Sequence, residues 1–282
     1  MKRTWQGLVA ALQFLTRIPV PFSVPFTNEV LKRSTFFFPL AGFFIGGLVW
    51  AAGWGLLHLL PVFPAAALTL TLAVALTGGL HMDGWMDTAD GVLSSRSRER
   101  MLEIMKDSRS GAMGVIACVL LLLIKWTLLV SLMELGLWNG WVVIPFIWSR
   151  VAMVLALASK PQARPEEGLG GYFLGVNAGH VAIAYMLGFA LAAVAVAATG
   201  TADAGRSLSA LTGLGLSSSA AAIVMSVAAP LLCTAGACLP LQYLSRKLGG
   251  LTGDTYGAIN EWTEAVGLLL LLLAATGKGW RI

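Results

Sequence analysis

The sequence predicts an all-α fold, a polytopic transmembrane helical bundle of about six to eight helices. Three observations carry that reading. Charged residues make up 12% of the 282-residue chain and apolar ones 57%, with a mean hydropathy of +0.79. A soluble domain usually has about 25% charged residues and needs them to cover its surface. Apolar runs long enough to cross a bilayer alternate with short polar segments, and the bases gather in every second polar segment. That is the positive-inside pattern of a multi-pass protein. The net charge of +5 is therefore a topological signal, and a nucleic-acid partner is not expected.

The N-terminal segment, 1–33, opens with Lys2 and Arg3, but Gln6, Gln13 and Arg17 interrupt any signal-peptide core. Leu8, Leu12, Phe14 and Leu15 suit a short amphipathic helix lying on membrane lipid. The first span is expected at about 36–60, punctuated by Pro39, Gly42, Gly46 and Gly47. A tight turn at 61–64 leads into a second span ending near residue 80. The most charged segment, 81–110, follows. Spans three to six are expected at about 113–133, 141–158, 180–198 and 220–241. A Pro/Gly-bearing loop at 160–175 and a Ser/Gly/Ala-rich stretch before the sixth span separate them. A second polar segment, 245–264, precedes the apolar run 265–275, which is short for a crossing and is expected to be shallow or re-entrant.

No internal repeat is visible, so 1–282 reads as one integral membrane domain; a homo-oligomer is compatible with it. Lys2, Arg3, Arg17, Lys32 and Arg33 place the N-terminus in the cytoplasm, and the bases of 96–109, 160–164 and 246–247 place those segments there too. The turns at 61–64, 134–140 and 199–210 hold one base, Arg206. Lys278 and Arg281 do not fit a seventh full crossing. Cys118, Cys233 and Cys238 sit in apolar stretches without metal-ligand spacing and read as small buried residues.

Four of the six aspartates, Asp83, Asp87, Asp90 and Asp107, lie close together in sequence. The first three are spaced i, i+4, i+7, which puts them on one helix face with neighbours about 5–6 Å apart. In water such a pair repels by only about 0.7 kcal/mol, and by several times more beside a low-dielectric membrane. A charge run is usually a solvated helix face paired with nearby bases. Here three acids follow a span with no base between them, and a divalent cation supplies the missing counter-charge. An all-carboxylate set selects Mg²⁺, or Mn²⁺ in its place, over zinc. Such an ion completes its shell with water and substrate phosphates, so the expected chemistry is displacement at phosphorus, in an active site at the cytoplasmic face.

His81 would point away from the acids on a continuous helix, unless Gly78-Gly79 breaks it. Lys125 and Arg150 lie within spans, at a cost of about 2.5–3.5 kcal/mol each at mid-span. Snorkelling explains either; Arg150, nearer mid-span, is the better candidate for a buried anionic partner, a phosphate or one of the aspartates. The segment 249–261, with four glycines, Thr252, Asp254 and Asn260, reads as a backbone-lined loop at a ligand or metal.

At these residues the chain resembles the cobalamin synthase family, the adenosylcobinamide-GDP ribazoletransferases. The match centres on Gly78-Gly79-Leu80-His81-Met82-Asp83-Gly84-Trp85-Met86-Asp87-Thr88-Ala89-Asp90-Gly91 and continues through Leu102-Glu103-Ile104-Met105-Lys106-Asp107-Ser108-Arg109 and Gly111 to Gly114. Supporting stretches are Phe14-Leu15-Thr16-Arg17-Ile18-Pro19-Val20-Pro21, Phe38-Pro39-Leu40-Ala41-Gly42, Lys125, Arg150, Arg164 with Gly168 and Gly170, and Leu251-Thr252-Gly253-Asp254-Thr255-Tyr256-Gly257-Ala258. Met82, Trp85 and Met86 stand where other apolar residues are expected, which leaves the polar pattern intact.

The resemblance implies that α-ribazole, or its 5′-phosphate, attacks the cobinamide-side phosphate of adenosylcobinamide-GDP. Adenosylcobalamin, or its phosphate, and GMP would result, with Mg²⁺ required, at the inner membrane of a bacterium. On that reading Asp83, Asp87 and Asp90 hold one or two metal ions. Asp107 completes the shell or acts as general base, with His81 as the competing base. Lys106, Arg109, Arg150 and Lys125 are the candidate phosphate-binding residues, and Thr252, Asp254 and Asn260 form a second loop at the site. Two other readings differ in testable ways. A CDP-alcohol phosphotransferase making phospholipid would carry a second late Asp, and position 111 is Gly. A cation transporter would carry acids in several spans and an inverted repeat.

Overall fold

The computed structural model describes residues 2–164, 168–198 and 218–276. The turn at 199–210 with Arg206, and Lys278 and Arg281, lie outside them. Among the described residues the chain is helical, with α1 Lys2–Leu15, α2 Asn28–Ser34, α3 Phe38–Leu57, α4 Val62–Thr77, α5 Leu80–Leu93 and α6 Arg98–Ile104. Then follow α7 Ala112–Glu134, α8 Val143–Ser159, α9 Ala178–Ala198, α10 Ser218–Leu248 and α11 Gly253–Thr276. Among the described residues six helices are long and apolar enough to cross a membrane, and the bent pair α4–α5 raises the number to 7 if it counts as one span. The expected spans at 36–60, 113–133, 141–158 and 180–198 each fall on one of these helices.

Helix α8 lies at the centre, packed against α3, α9, α10 and α11. Its side chains from Val143 to Val154 are all buried, Trp148 and Arg150 among the largest. Helix α3 approaches it closely because Gly42 and Gly46 lie against the Phe146 and Val143 backbone, where no Cβ would fit comfortably. This is the small-residue packing that draws helices together in lipid. The helices alternate in direction. Asn28 donates to the Tyr172 carbonyl at one end and Trp138 Nε1 to the Trp50 carbonyl at the other.

Two features shape the site: a break at Gly78-Gly79, which the sequence left open, and a last helix that departs from the sequence reading. Helix α5 does not continue α4 but turns from it by 89°. Gly78 and Gly79 both adopt left-handed φ, at 62° and 73°, a conformation that costs an L side chain about 1–2 kcal/mol. The Gly79 amide reaches back to the Val74 carbonyl at 3.1 Å, as in a Schellman stop. The departure is α11. The loop expected over 249–261 is confined to Gly249–Thr252, and Asp254 and Asn260 lie on the helix that starts at Gly253. Thr252 and Thr255 cap that start reciprocally, Thr252 N–H donating to Thr255 Oγ1 at 2.8 Å and Thr255 N–H to Thr252 Oγ1 at 3.3 Å. The run 265–275 is therefore the second half of a 24-residue helix rather than a shallow segment.

Candidate active site

The right-angle turn lays α5 across the end of the bundle, against α11 and α7. Contact with α11 is close because Gly84 and Gly257 carry no side chain. A Cβ on Gly84 would sit 2.6 Å from the Asp254 carbonyl oxygen, and one on Gly257 3.1 Å from that of His81. Trp85 Nε1 fixes the other side by donating to the Ala117 carbonyl of α7 at 3.0 Å. These contacts bring Asp254, distant in sequence, beside the acidic face of α5.

Beside this junction opens a cavity of about 520 Å³. Its polar wall holds His81, Asp83, Lys106, Arg164, Thr252 and Asp254; its apolar wall includes Phe14, Phe38, Met153, Leu157 and Phe173. Asp254 Oδ2 accepts from Arg164 Nη2 at 3.2 Å and from the Thr252 hydroxyl at 3.2 Å. Arg164 is itself placed by main-chain pairing, the Leu251 amide to the Pro161 carbonyl at 2.9 Å and the Ala163 amide to the Leu251 carbonyl at 2.8 Å.

The four clustered aspartates are differently engaged. Asp83 is exposed at the cavity, and Asp87 lies half-buried one turn along, facing the charges of Asp83, Asp254 and Asp90 on one side and Arg164 on the other. Neither carboxylate, of Asp83 or of Asp87, has a hydrogen bond or ion pair to another described residue. Asp90 is buried and accepts from the Gly111 and Gly114 amides at 2.7 Å each. It is thus the anion at the N-terminus of α7. Asp107 sits with Asp90, Arg100, Glu103 and Arg109 around a second, shallower pocket. Arg109 binds both its oxygens, at 3.0 and 2.6 Å, and holds its carboxyl down to about 2. The acidic face therefore forms a line between two pockets, with Asp87 in the middle.

Among the described residues no three acids, histidines or cysteines stand close enough to cage an ion by themselves. The unpaired pair Asp83 and Asp87 nevertheless fits a hard dication. Mg²⁺ is commonly bound through one or two carboxylates and takes its remaining ligands from water and phosphate oxygens. Asp254, across from the pair, is the third acid available. Zinc is a poorer fit, since the described set offers no thiolate and a single imidazole, His81, which is buried.

Lys125 and Arg150, expected at the phosphate, are instead enclosed in the bundle with acids of α11. Lys125 Nζ bonds Glu261 at 2.5 Å and Glu264 at 2.8 Å, and Arg150 pairs with Glu264. Both bases are buried, so their charge is answered inside the protein. Asn260 is part of the same cluster, donating to Glu264 at 3.3 Å. His81 links the cluster to the cavity. It is buried under the charges of Arg150, Glu264 and Lys125, and its Nε2 has no partner.

The sequence reading missed Glu261, Glu264 and the role of Arg164. The signal for the first two was electrostatic. Two bases inside spans require acids at matching depth, and Glu261 and Glu264 lie three residues apart in the only acidic stretch that continues into an apolar run. Arg164 and Asp254 are 90 residues apart, and no spacing rule reaches that far.

A family model described as cobalamin-5-phosphate synthase matches residues 7–272. Curated relatives named adenosylcobinamide-GDP ribazoletransferase align over nearly their whole length. One from Brevibacillus brevis is 38% identical over 96% of this chain and 97% of its own. One from Roseiflexus is 37% identical over 97% and 93%, and one from Geotalea daltonii 36% over 95% and 96%. No solved structure matches the chain at a significant level.

Proposed function

Because the chain belongs to the cobalamin-5-phosphate synthase family, we propose that the cavity between α5 and α11 is where it joins adenosylcobinamide-GDP to ribazole. It is a multi-pass membrane enzyme of the transferase class. The observation that carries the assignment of the site is the meeting of Asp83, Asp254, Arg164 and Lys106 around one mixed polar and apolar cavity, with the carboxylate of Asp87 one turn behind Asp83 and within the field of Asp254.

A ribose hydroxyl of ribazole forms a bond to the cobinamide-side phosphorus, the bond from that phosphorus to the bridging oxygen breaks, and GMP leaves. Mg²⁺, or Mn²⁺ in its place, would be held by Asp83 and Asp87 with Asp254 opposite, and supplies positive charge to the diphosphate and the departing GMP. Arg164 and Lys106 neutralise phosphate charge at the cavity wall, and Arg109 does so at the neighbouring pocket. His81 is better placed than Asp107 to take the proton of the attacking hydroxyl, because its Nε2 is unpartnered while Asp107 is held by Arg109. Phe14, Phe38 and Phe173 exclude water from one side of the reacting groups. The cavity faces the cytoplasm across a bacterial inner membrane, a placement supported by the bases at its end of the bundle: Arg17, Lys32, Lys106, Arg164 and Arg246.

The test uses the full chain in detergent with adenosylcobinamide-GDP and ribazole. GMP and a cobalamin product should appear in equal amounts, stop on chelation of divalent ions, and resume with Mg²⁺. Turnover that is indifferent to chelation would remove the metal from this reading, and no GMP at all would end it.

A further inference from the structure

A second cavity of about 340 Å³ adjoins the first, with Phe14 and Leu80 in both walls. It lies between α1, the start of α5 and the segment that carries Tyr172. Its remaining walls differ in kind from those of its neighbour. Among the described residues no acid lines it; its polar side is Gln13, Thr16, Arg17 and Thr77, and its aromatic side Phe14, Phe26 and Tyr172. Pockets for small molecules begin at about 300 Å³, so the space suits a nucleoside and little more.

Arg17 is the notable group. Its main chain is fixed by a 2.7 Å bond to the Leu76 carbonyl, and its side chain lies over the Gly78 turn. The residue is exposed, and its guanidinium has no hydrogen bond or ion pair to another described residue. Arg33, by contrast, is matched by Glu29, Arg100 by Glu103, and Arg164 by Asp254. An unmatched guanidinium and an aromatic wall, with no carboxylate among the described lining residues, suit a planar base carried on a phosphorylated sugar.

Resting on the transferase reading above, we infer that this second cavity is the acceptor subsite and that Arg17 binds the acceptor's 5′-phosphate. Two substrates must meet, one carrying a diphosphate and one a nucleoside. The acid-lined cavity suits the metal-bound diphosphate, and the arginine- and aromatic-lined one beside it suits the nucleoside 5′-phosphate. Leu80 and Phe14 form the boundary across which the ribose hydroxyl reaches the phosphorus. Arg17 is then the residue that distinguishes phosphorylated from unphosphorylated acceptor.

The experiment measures GMP release by the full chain in detergent at saturating adenosylcobinamide-GDP, varying either ribazole or ribazole 5′-phosphate. Arg17→Gln should raise KM for the phosphorylated acceptor about tenfold, the loss expected for a hydrogen bond to a charged group. The ratio of kcat/KM for the two acceptors should fall by the same factor, and Arg17→Lys should restore most of it. Inorganic phosphate should compete with the acceptor in the wild type and lose that effect in Arg17→Gln. An equal loss for both acceptors would make Arg17 a support for the α4–α5 turn, and an unchanged ratio would remove it from recognition; either overturns the inference while leaving the transferase reading standing. A wild type that releases no GMP with either acceptor would instead sink the transferase reading itself.

Discussion

Asp83, Asp87 and Asp90 share a helix face and yet answer to different partners, so their substitutions should separate. Asp90 holds two amides at the start of α7. Asp90→Ala should cost about 2 kcal/mol, the upper range for losing an N-terminal cap, and lower the thermal midpoint in detergent. Asp83→Asn and Asp87→Asn remove mutual repulsion and leave no buried group unpaired. They should keep or raise that midpoint while turnover falls about 100-fold. Destabilisation by Asp87→Asn with full activity would reverse the assignment. Asp107 gives a pH test. Its folded carboxyl is lowered to about 2 by Arg109, so it is ionised at every pH above that and releases no proton in the working range. Any stability it adds is present above the unfolded carboxylate pKa, near 4, and fades as pH falls through about 2. The rate profile of Asp107→Asn between about pH 5 and 8 should keep both limbs of the wild type, whereas a limb lost with Asp107 would make it the base. The acidic cluster was legible because carboxylates at i, i+4, i+7 declare one face. Which of them is capped, paired or open depends on residues from α6 to α11, and periodicity carries no such information.

Among the elements, α11 shows where sequence reading stops. A polar first half and an apolar second half look like a loop followed by a stub. In fact the acids Glu261 and Glu264 sit inside the bundle because Lys125 of α7 and Arg150 of α8 stand at the same depth. Two positive and two negative side chains cancel, and the helix crosses with its charges matched. Removing one member should therefore be far worse than removing a pair. Glu264→Gln leaves Arg150 and one bond of Lys125 unanswered and should cost about 3–5 kcal/mol. Lys125→Met together with Glu261→Gln should cost clearly less than the two single changes added together. Thermal unfolding of the four proteins in detergent gives the coupling directly, and simple additivity would show that the cluster contributes nothing as a unit. The α4–α5 turn was more accessible, since two consecutive glycines in left-handed φ end a helix wherever they occur.

For the whole molecule, hydropathy and the spread of bases sufficed to foresee a helical membrane bundle; the 24-residue last helix was hidden by its own acids. Orientation can be checked on a background lacking Cys118, Cys233 and Cys238. Arg96→Cys, exposed beside the acidic helix, should react with an impermeant thiol reagent only from the cytoplasmic side. Leu135→Cys, exposed at the far end of α7, should react only from the outside. The reverse pattern would turn the molecule over and move the cavity with it. The right-angle turn at Gly78 and Gly79 has a geometric result of its own. In a helix standing upright, residues seven positions apart occupy different depths. Tipped on its side, the same helix converts that interval into a horizontal track of about 10 Å. Asp83 and Asp87 then become stations along a quay that Asp90 moors to α7, and a long, charged cargo arriving from water can touch both without being drawn down into lipid.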